Sequence, residues 1–302
     1  MKLFIISLRR SGSTIFWKTF RQDKNLTCYD EPFVNLLINL PKLNRKQTTH
    51  EFIELLNKNP SNFWKFYSPI DSSQEISERM SVNQKQYLQY LANSAEHTVC
   101  DLTRCCFKIK ELKNIFPQAY IIHLYRSPHA FVSSHILPNK PEVSKIKSFV
   151  IRMKNYLNRY RFWSVKSGYS SWGYERIISA SDNSLFSTYL RENNLFINDF
   201  NNLPAYGKLM YFWKICYEKV EKDGRYLYKN RFISLPFEKF CENPGYCMKK
   251  IYKNIGLELP KTDYKNIKNP NMGYKPNHVN WMKMAEKIGL PPLYQYPWNV
   301  KL

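Results

Sequence analysis

The sequence lacks any long hydrophobic run. Although 43% of its residues are hydrophobic, no apolar stretch approaches the roughly 20 residues that a membrane-spanning helix needs. The first apolar segment, LFIISL at 3–8, is shorter than the core of a secretion signal, and its arginines follow it instead of preceding it. We therefore expect a cytoplasmic protein without membrane insertion.

The cysteines lack any pairing pattern. The chain has seven, and no two of them form a CxxC motif or lie at a spacing typical of zinc ligands with histidine. An odd number of cysteines without a pattern is typical of free thiols in a reducing compartment. We therefore predict free, mostly buried thiols and no metal site.

The chain also lacks internal repeats, low-complexity segments and linkers rich in Pro, Gly and Ser. It contains instead short apolar runs that alternate with long segments of helical pattern. The runs lie at 3–8, 98–102, 119–125, 174–179 and 231–235, and the helical segments at 48–58, 83–96, 108–116, 143–162, 206–222 and 245–255. Strands without polar alternation that are divided by helices indicate a parallel sheet covered on both faces. We predict a single α/β domain over 1–302.

The formal net charge of +22 raises the question of nucleic-acid binding, because basic surfaces attract phosphate backbones. However, Lys, Asn, Ile and Tyr are abundant along the whole chain, which indicates a general compositional bias. Zinc-finger spacings, an arginine-rich tail and an RNP-like aromatic motif are all missing from the sequence. We expect no nucleic-acid partner, and a basic nucleic-acid-binding protein is kept as an alternative.

The first strand is followed by a loop of hydroxyls and arginines, SLRRSGST at 7–14. Ligands of parallel sheets bind at the carboxyl ends of the strands, and a helix N-terminus attracts anions. Compared with the nucleotide-binding pattern GxxxxGK(S/T), Gly12 is kept but Ser13 replaces the lysine. Kinases need that lysine together with Mg²⁺, so the loop favours a phosphate that is held and not transferred. A P-loop kinase and an ordinary turn capped by Ser11 or Ser13 are the alternatives.

A second loop, YRSPHAFVSSH, begins at the end of the strand at 119–125. Arg126 stands at the strand tip, Ser127 suits a helix N-cap and Pro128 suits the first helical position. Ser134 lies two turns into this helix, eight residues after the arginine. A guanidinium and a hydroxyl so placed can bind one phosphate. The alternative is an arginine paired with a neighbouring loop, ahead of a capped helix.

Together these motifs resemble those of sulfotransferases that use 3′-phosphoadenosine 5′-phosphosulfate (PAPS), in particular bacterial small-molecule enzymes. Arg10 to Thr14 match the family's 5′-phosphosulfate loop, (K/R)-S-G-(S/T)-T, and YIIHLYRSPHAFVSSH is similar to its 3′-phosphate motif. RFISLPFEKF resembles a later family segment, with Phe237, Glu238 and Phe240 in matching places. The likeness covers about 1–40 and 98–260. The segments 41–97 and 140–205 resemble nothing familiar, and there such enzymes usually vary to shape the acceptor pocket.

The resemblance implies a P-loop-like sulfotransferase fold and transfer of a sulfuryl group from PAPS to a nucleophilic acceptor, leaving adenosine 3′,5′-bisphosphate. No metal ion is expected to take part. The residues that it implies for binding the donor are Arg9, Arg10, Ser11, Gly12, Ser13, Thr14, Arg126, Ser134 and Lys275. Lys275 lies in NPNMGYKPNH, which departs from the family's usual basic closing loop. Arg10 would also stabilise the charge that develops on the departing oxygen.

The acceptor must lose a proton, so a general base is required. The resemblance assigns this role to Glu31 in CYDEPF, because a glutamate in such an element is the base of many bacterial members. Aryl-type members use a histidine after the strand that here ends near Asp101, but the sequence has no histidine between 98 and 122. Asp101 is therefore the second candidate for the base.

The acceptor is expected to be a small molecule with a hydroxyl or nitrogen, such as a secondary metabolite or sugar. Glycan or glycolipid sulfation is the alternative. Aromatic-rich stretches at 62–67 and 160–174 suit a flat ring or a cation. His123, inside an apolar strand, is expected to be a core histidine.

Overall fold

The structure, a computed structural model, describes residues 1–42, 46–136, 174, 177–178, 184–264, 267 and 281–295. A five-stranded sheet of order β2-β3-β1-β4-β5 forms its centre, and all four strand pairings are parallel. The strands are β1 (Lys2–Ile6), β2 (Thr27–Asp30), β3 (Thr98–Asp101), β4 (Tyr120–Tyr125) and β5 (Phe232–Pro236). The predicted α/β fold with a central parallel sheet is confirmed.

Helices connect consecutive strands, as parallel pairing requires. Those of the first part of the chain are α1 (Ser13–Phe20), α2 (Lys46–Lys58), α3 (Pro60–Phe66), α4 (Ser72–Glu75), α5 (Val82–Ala92), α6 (Ile109–Ile115) and α7 (Pro128–Ile136). The remaining described helices are α8 (Leu185–Glu192), α9 (Ala205–Tyr228), α10 (Phe237–Glu242), α11 (Pro244–Ile255), α12 (Trp281–Lys287) and α13 (Pro292–Gln295). Short 3-10 helices lie at Asn35–Lys42, Phe200–Asn202 and Lys229–Arg231.

Four of the five predicted strands are present, and two differences have a physical reason. β2 was not predicted, because TCYD is only four residues long and has polar neighbours. The predicted strand at 174–179 is wrong where the structure describes it. There the Ile178 N–H donates to the Tyr174 carbonyl at 2.7 Å, which closes a turn. These apolar residues are buried, so the run reflects burial and not strand pairing. The predicted helix at 143–162 lies outside the described residues.

The core lies where β1, the middle strand, meets the helices on both sides. Leu3, Phe4, Ile5 and Ile6 are all fully buried, as expected for a strand covered on both faces. One face packs against α1, α10 and α11, where the Phe16 ring meets the Phe240 ring edge-on at 4.9 Å. Burial of such aromatic side chains supplies most of the stabilisation of a core.

Two compact units can be distinguished by their internal contacts. The first comprises Met1–Tyr125 and Glu218–Asn269, and it contains the whole sheet. The second comprises Arg126–Tyr217 and Pro270–Leu302, and its described elements are helical. Within the second unit Trp213 stacks on Tyr217 with ring centroids 4.9 Å apart, and the Tyr294 hydroxyl donates to that of Tyr217 at 2.7 Å. Helix α9 begins in the second unit and ends in the first.

None of the described helices is both long and apolar enough to cross a membrane. The longest, α9, has 24 residues, but lysines, glutamates, an aspartate and an arginine interrupt its apolar stripe. All seven cysteines are free thiols, and six of them are buried. The apolar surroundings raise the pKa of the Cys105 thiol to about 12, so this thiol is unreactive at neutral pH.

A buried ion pair connects the sheet to α9. The His123 Nδ1 of β4 lies 2.6 Å from the Glu221 Oε1, and the Ser234 hydroxyl of β5 donates to the same oxygen at 2.7 Å. The Arg225 Nε donates to the other oxygen at 2.9 Å. Burial alone would raise the pKa of Glu221, but the hydrogen bond and charge of His123 outweigh it and lower the pKa. His123 is thus a satisfied core histidine, as expected.

The Glu221 network gives a stability prediction. Replacing Glu221 with Ala leaves His123 and Ser234 without their shared acceptor, and removing one partner of a buried ion pair typically costs about 3 kcal/mol. The matched control is Glu242→Ala at an exposed position of α10, which should change the free energy of unfolding by less than about 0.5 kcal/mol. Urea unfolding measures both. Equal losses in the two variants would contradict the structural role of the network.

Candidate active site

The loop after β1 has the backbone geometry of an anion cradle. Arg10 and Gly12 adopt left-handed conformations, with φ of 69° and 87°. The Ser11 N–H donates to the Leu8 carbonyl at 3.2 Å, and the Gly12 carbonyl accepts the first two hydrogen bonds of α1. Alternating handedness points successive N–H groups to one concave side. The N–H groups of Ser13 and Thr14 open α1 and have no acceptor within their own helix, so they can bind an anion.

Gly12 is required by space as well as by backbone angle. A Cβ at this position would lie 2.4 Å from the Phe237 Cε2, and Phe237 is itself fully buried at the start of α10. The segment RFISLPFEKF, which resembles the later family motif, therefore supports the loop after β1 through the Phe237 ring. The sequence identified Phe237 as a match, but it gave no sign of this contact across more than two hundred residues.

The contact between Gly12 and Phe237 gives the second prediction. Gly12→Ala adds left-handed strain of about 1 kcal/mol and forces apart a packed ring, which costs about 2 kcal/mol more. The control is Gly256→Ala at the end of α11, because Gly256 has a similar φ of 75° but open space around it. The Gly256→Ala variant should lose only the stability that the left-handed strain costs, about 1 kcal/mol. Thermal unfolding of both variants measures the difference, and equal losses would exclude the packing contribution.

Arg9 lies next to Arg10 in the sequence but binds a carboxylate of the protein. Its guanidinium and that of Arg104 form ion pairs with the two oxygens of Glu75 in α4. The Lys108 ammonium donates to the Gln74 and Ser77 carbonyls, both at 2.6 Å. Three chain segments thus meet around Glu75: the loop after β1, α4 and the stretch from Arg104 to Lys108. Sequence reasoning missed this residue because it lies in the segment 41–97, which matched no motif.

Three carboxylates lie at the carboxyl ends of β2 and β3. Glu31 directly follows β2, is partly exposed and adopts a left-handed φ of 44°. Its carbonyl accepts from the Val34 N–H at 3.1 Å. Asp30 pairs in register with Asp101 across the two strands, and Asp101 is 0% exposed. The structure thus brings both base candidates together, and it adds Asp30, which was missed because β2 was missed.

The environment of the two aspartates disfavours their charge. Burial, followed by the negative charges of Asp30 and Glu31, raises the pKa of Asp101 well above its usual range. The Ser13 hydroxyl of α1 faces Asp101 and alone would lower this pKa. Burial and the charge of Glu31 likewise raise the pKa of Asp30. The loop after β1 and the carboxylates therefore meet at Ser13.

The second loop lies in the second compact unit and is built around α7. The Ser127 hydroxyl accepts from the Ala130 N–H at 3.3 Å and caps the helix as predicted, with Pro128 first in the helix. The Trp213 indole N–H donates to the Arg126 carbonyl at 3.0 Å and fixes the strand tip. Arg126 and Ser134 are both buried, and the Ser134 hydroxyl donates to the Phe131 carbonyl at 2.7 Å.

Two further residues, His129 and Lys275, add little to the described site. Burial lowers the pKa of His129 to about 4, so this imidazole is neutral at physiological pH. Lys275 and the rest of its loop lie outside the described residues. Within the described part of the chain, no three His, Cys, Asp or Glu side chains are grouped so as to hold a metal ion.

No protein of curated function matches the chain. The solved sulfotransferase domain from the curacin biosynthetic pathway is 14% identical, with a TM-score of 0.45 over 86% of this chain and 75% of that one. A sulfotransferase from Alicyclobacillus acidocaldarius is 11% identical, with a TM-score of 0.42 over 91% and 86%. Sulfotransferase STF9 from Mycobacterium avium is 14% identical, with a TM-score of 0.39 over 86% and 64%.

A family model supplies the assignment. The model described as "Sulfotransferase family" matches residues 2–163, which is more than half of the 302 residues. This range contains the cradle after β1, the three carboxylates and the Arg126 loop. The chain therefore belongs to the sulfotransferase family.

Proposed function

We propose that the protein transfers a sulfuryl group from PAPS to a hydroxyl or nitrogen of a small-molecule acceptor, leaving adenosine 3′,5′-bisphosphate. Family membership gives sulfuryl transfer as the general activity. The single observation that carries the choice of donor is the loop after β1, whose left-handed Arg10 and Gly12 form an anion cradle without a P-loop lysine. A P-loop kinase is set aside, because a kinase needs that lysine together with Mg²⁺ to transfer phosphate.

In this proposal the loop grips the 5′-phosphosulfate. The N–H groups of Ser11 to Thr14 donate to its oxygens at the positive end of the α1 dipole. PAPS supplies an activated sulfuryl group, and the cradle stabilises the negative charge that grows on the phosphate side as that group departs. Arg10 adds a cation at the same loop. Arg9 contributes by anchoring the loop through Glu75.

We assign the 3′-phosphate of the donor to Arg126 and Ser134. Arg126 is buried at the N-terminus of α7, and its carbonyl is fixed by Trp213. A buried guanidinium is stabilised by an anionic partner such as a phosphate. The Ser134 hydroxyl donates to the Phe131 carbonyl, so it would rotate to donate to a phosphate. Lys275 is assigned to the same ligand from the resemblance.

Glu31 is our candidate for the general base. It is partly exposed and follows β2 at the edge where the donor loop begins. A base must reach an incoming acceptor and must be ionised at the working pH. Asp101 meets neither condition, because it is fully buried and its pKa is raised well above the usual range. Glu31 can therefore take the proton from the acceptor.

The proposed acceptor is a secondary metabolite or sugar, and a glycan or glycolipid is the alternative. We further propose that the enzyme works in the cytoplasm without a metal ion or a nucleic-acid partner. A screen of phenols, aliphatic alcohols, amines and sugars with radiolabelled PAPS would identify the acceptor.

Binding of the donor product gives the third prediction. By calorimetry the protein should bind adenosine 3′,5′-bisphosphate at least about tenfold more tightly than ATP with Mg²⁺. Arg126→Ala should weaken bisphosphate binding by about 10- to 100-fold, because one charge-assisted hydrogen-bonding group is lost. Its affinity for adenosine 5′-phosphate, which lacks the 3′-phosphate, should be unchanged.

The control for Arg126→Ala is Arg191→Ala, an exposed arginine of α8 in the same unit. It should bind both nucleotides as the wild type does. Equal or tighter binding of ATP would refute the choice of PAPS as donor. Unchanged bisphosphate affinity in Arg126→Ala would refute only the assignment of the 3′-phosphate.

Replacement of the base gives the fourth prediction. Glu31→Gln should lower kcat by about 10²- to 10⁴-fold, because a general base contributes that much, while the Kd for the bisphosphate changes less than about twofold. Glu54→Gln, at an exposed position on α2, is the control and should keep full activity. Sulfuryl transfer to an acceptor from the screen is the measurement. An active Glu31→Gln enzyme would move the role of the base away from this residue.

A further inference from the structure

Asp30 and Asp101 form a pair of carboxyl groups on one face of the sheet. They are the last residues of β2 and β3 and partners in the parallel register. Side chains in register on neighbouring parallel strands point to the same face of the sheet. The negative charge of Asp30 raises the pKa of Asp101, as expected for two carboxyl groups that are neighbours on one face. A hydrogen bond between two such groups requires a proton, because ionised carboxylates only accept.

The surroundings of the pair do not compensate two negative charges. Both oxygens of Asp101 and the Oδ1 of Asp30 are buried, and no N–H or O–H of the described residues makes a hydrogen bond of normal geometry to them. The charged groups that act on the pair are Glu31 beyond β2, Glu51 on α2 and Lys18 on α1. Lys18 is exposed, so its cation is screened by water.

Two buried carboxyl groups in contact cannot both ionise at ordinary pH. We propose that Asp30 and Asp101 share one proton at neutral pH, and that this pair is a positioning element of the active site and not its base. The bond that forms is an O–H···O⁻ hydrogen bond, which is a short and strong type. It joins the ends of β2 and β3 and so fixes the backbone from which Glu31 projects. This role rests on the proposed function of the same site.

The shared proton also keeps one negative charge away from the donor loop. The Ser13 hydroxyl faces Asp101, and the Ser13 N–H belongs to the cradle of α1. When the pair loses its proton at alkaline pH, a second charge appears behind this cradle and repels the 5′-phosphate of the donor. Affinity for the bisphosphate should therefore fall by about fivefold as the pair ionises.

Stability should depend on the same proton. Each pKa of the pair is raised in the folded protein above the ordinary aspartate value of about 3.9. The contribution of the pair to stability is therefore complete below about pH 4 and declines as the pH rises towards the folded-state pKa values. An amide at position 101 cannot ionise, yet it can still donate a hydrogen bond to Asp30. Asp101→Asn removes this decline.

The test compares the wild type, Asp101→Asn, Asp30→Asn and Glu31→Gln from about pH 6 to about pH 10. Without ligand, the infrared carbonyl band of a buried protonated carboxyl group should be present in the wild type and in Glu31→Gln. It should be absent from Asp101→Asn, in which the amide donates to an ionised Asp30, and should persist in Asp30→Asn, because burial keeps Asp101 protonated. The melting temperature of the wild type should fall with pH relative to that of Asp101→Asn. These two measurements do not depend on what the enzyme binds.

With ligand, calorimetry should show bisphosphate affinity falling about fivefold towards alkaline pH in the wild type and Glu31→Gln, but not in Asp101→Asn. A loss of turnover in Asp101→Asn as large as that in Glu31→Gln, with unchanged bisphosphate binding, would make Asp101 the base and overturn the proposal. An infrared spectrum of the wild type without the protonated band would overturn it as well, even if the Asn variants fail to fold. Absence of bisphosphate binding, with the band present, would refute the proposed donor and leave the pair intact.

Discussion

The contact between Gly12 and the Phe237 ring is the constraint on which the donor loop depends. The left-handed backbone at Gly12 lets the chain turn from β1 into α1, and the missing side chain lets the loop lie directly on a fully buried ring. Because Phe237 opens α10 directly after β5, the loop rests on an element from the far end of the sheet order. The N–H groups of the cradle are thereby held in place before any ligand arrives, which is the basis of electrostatic preorganisation.

Groups that suit an anion and groups that repel one lie close together around this loop. The cradle suits an anion, whereas Asp30 and Asp101 end the two neighbouring strands and Glu31 directly follows one of them. Three ionised carboxylates so close to an anion site would oppose binding. The burial of Asp101 resolves this conflict, because an apolar environment favours its neutral form. Glu31, which is partly exposed, keeps the solvent access that a base needs.

Periodicity and apolar runs were enough to predict the parallel sheet and five of the helices, α2, α5, α6, α9 and α11, because buried strands and amphipathic helices leave strong local patterns. The end of α11 also has a local cause, since Gly256 adopts the left-handed conformation that closes a helix. β2 was not predicted, because four residues carry too little pattern. Asp30 was missed for the same reason, because its importance arises only from its register with Asp101. The contacts of Phe237 and Glu75 join residues far apart in sequence, and no local pattern encodes them.

The ion pairs of Glu75 set a limit on how the segment between β2 and β3 can diverge or be exchanged. This segment, 41–97, carries a carboxylate that pairs with both Arg9 and Arg104, which lie outside it. A grafted segment without an acid at this point would leave two guanidinium groups close together and largely buried, with the loop after β1 attached to one of them. A chimera in which this segment is exchanged must therefore retain a carboxylate equivalent to Glu75. Divergence of the segment is coupled in this way to the architecture of the loop after β1.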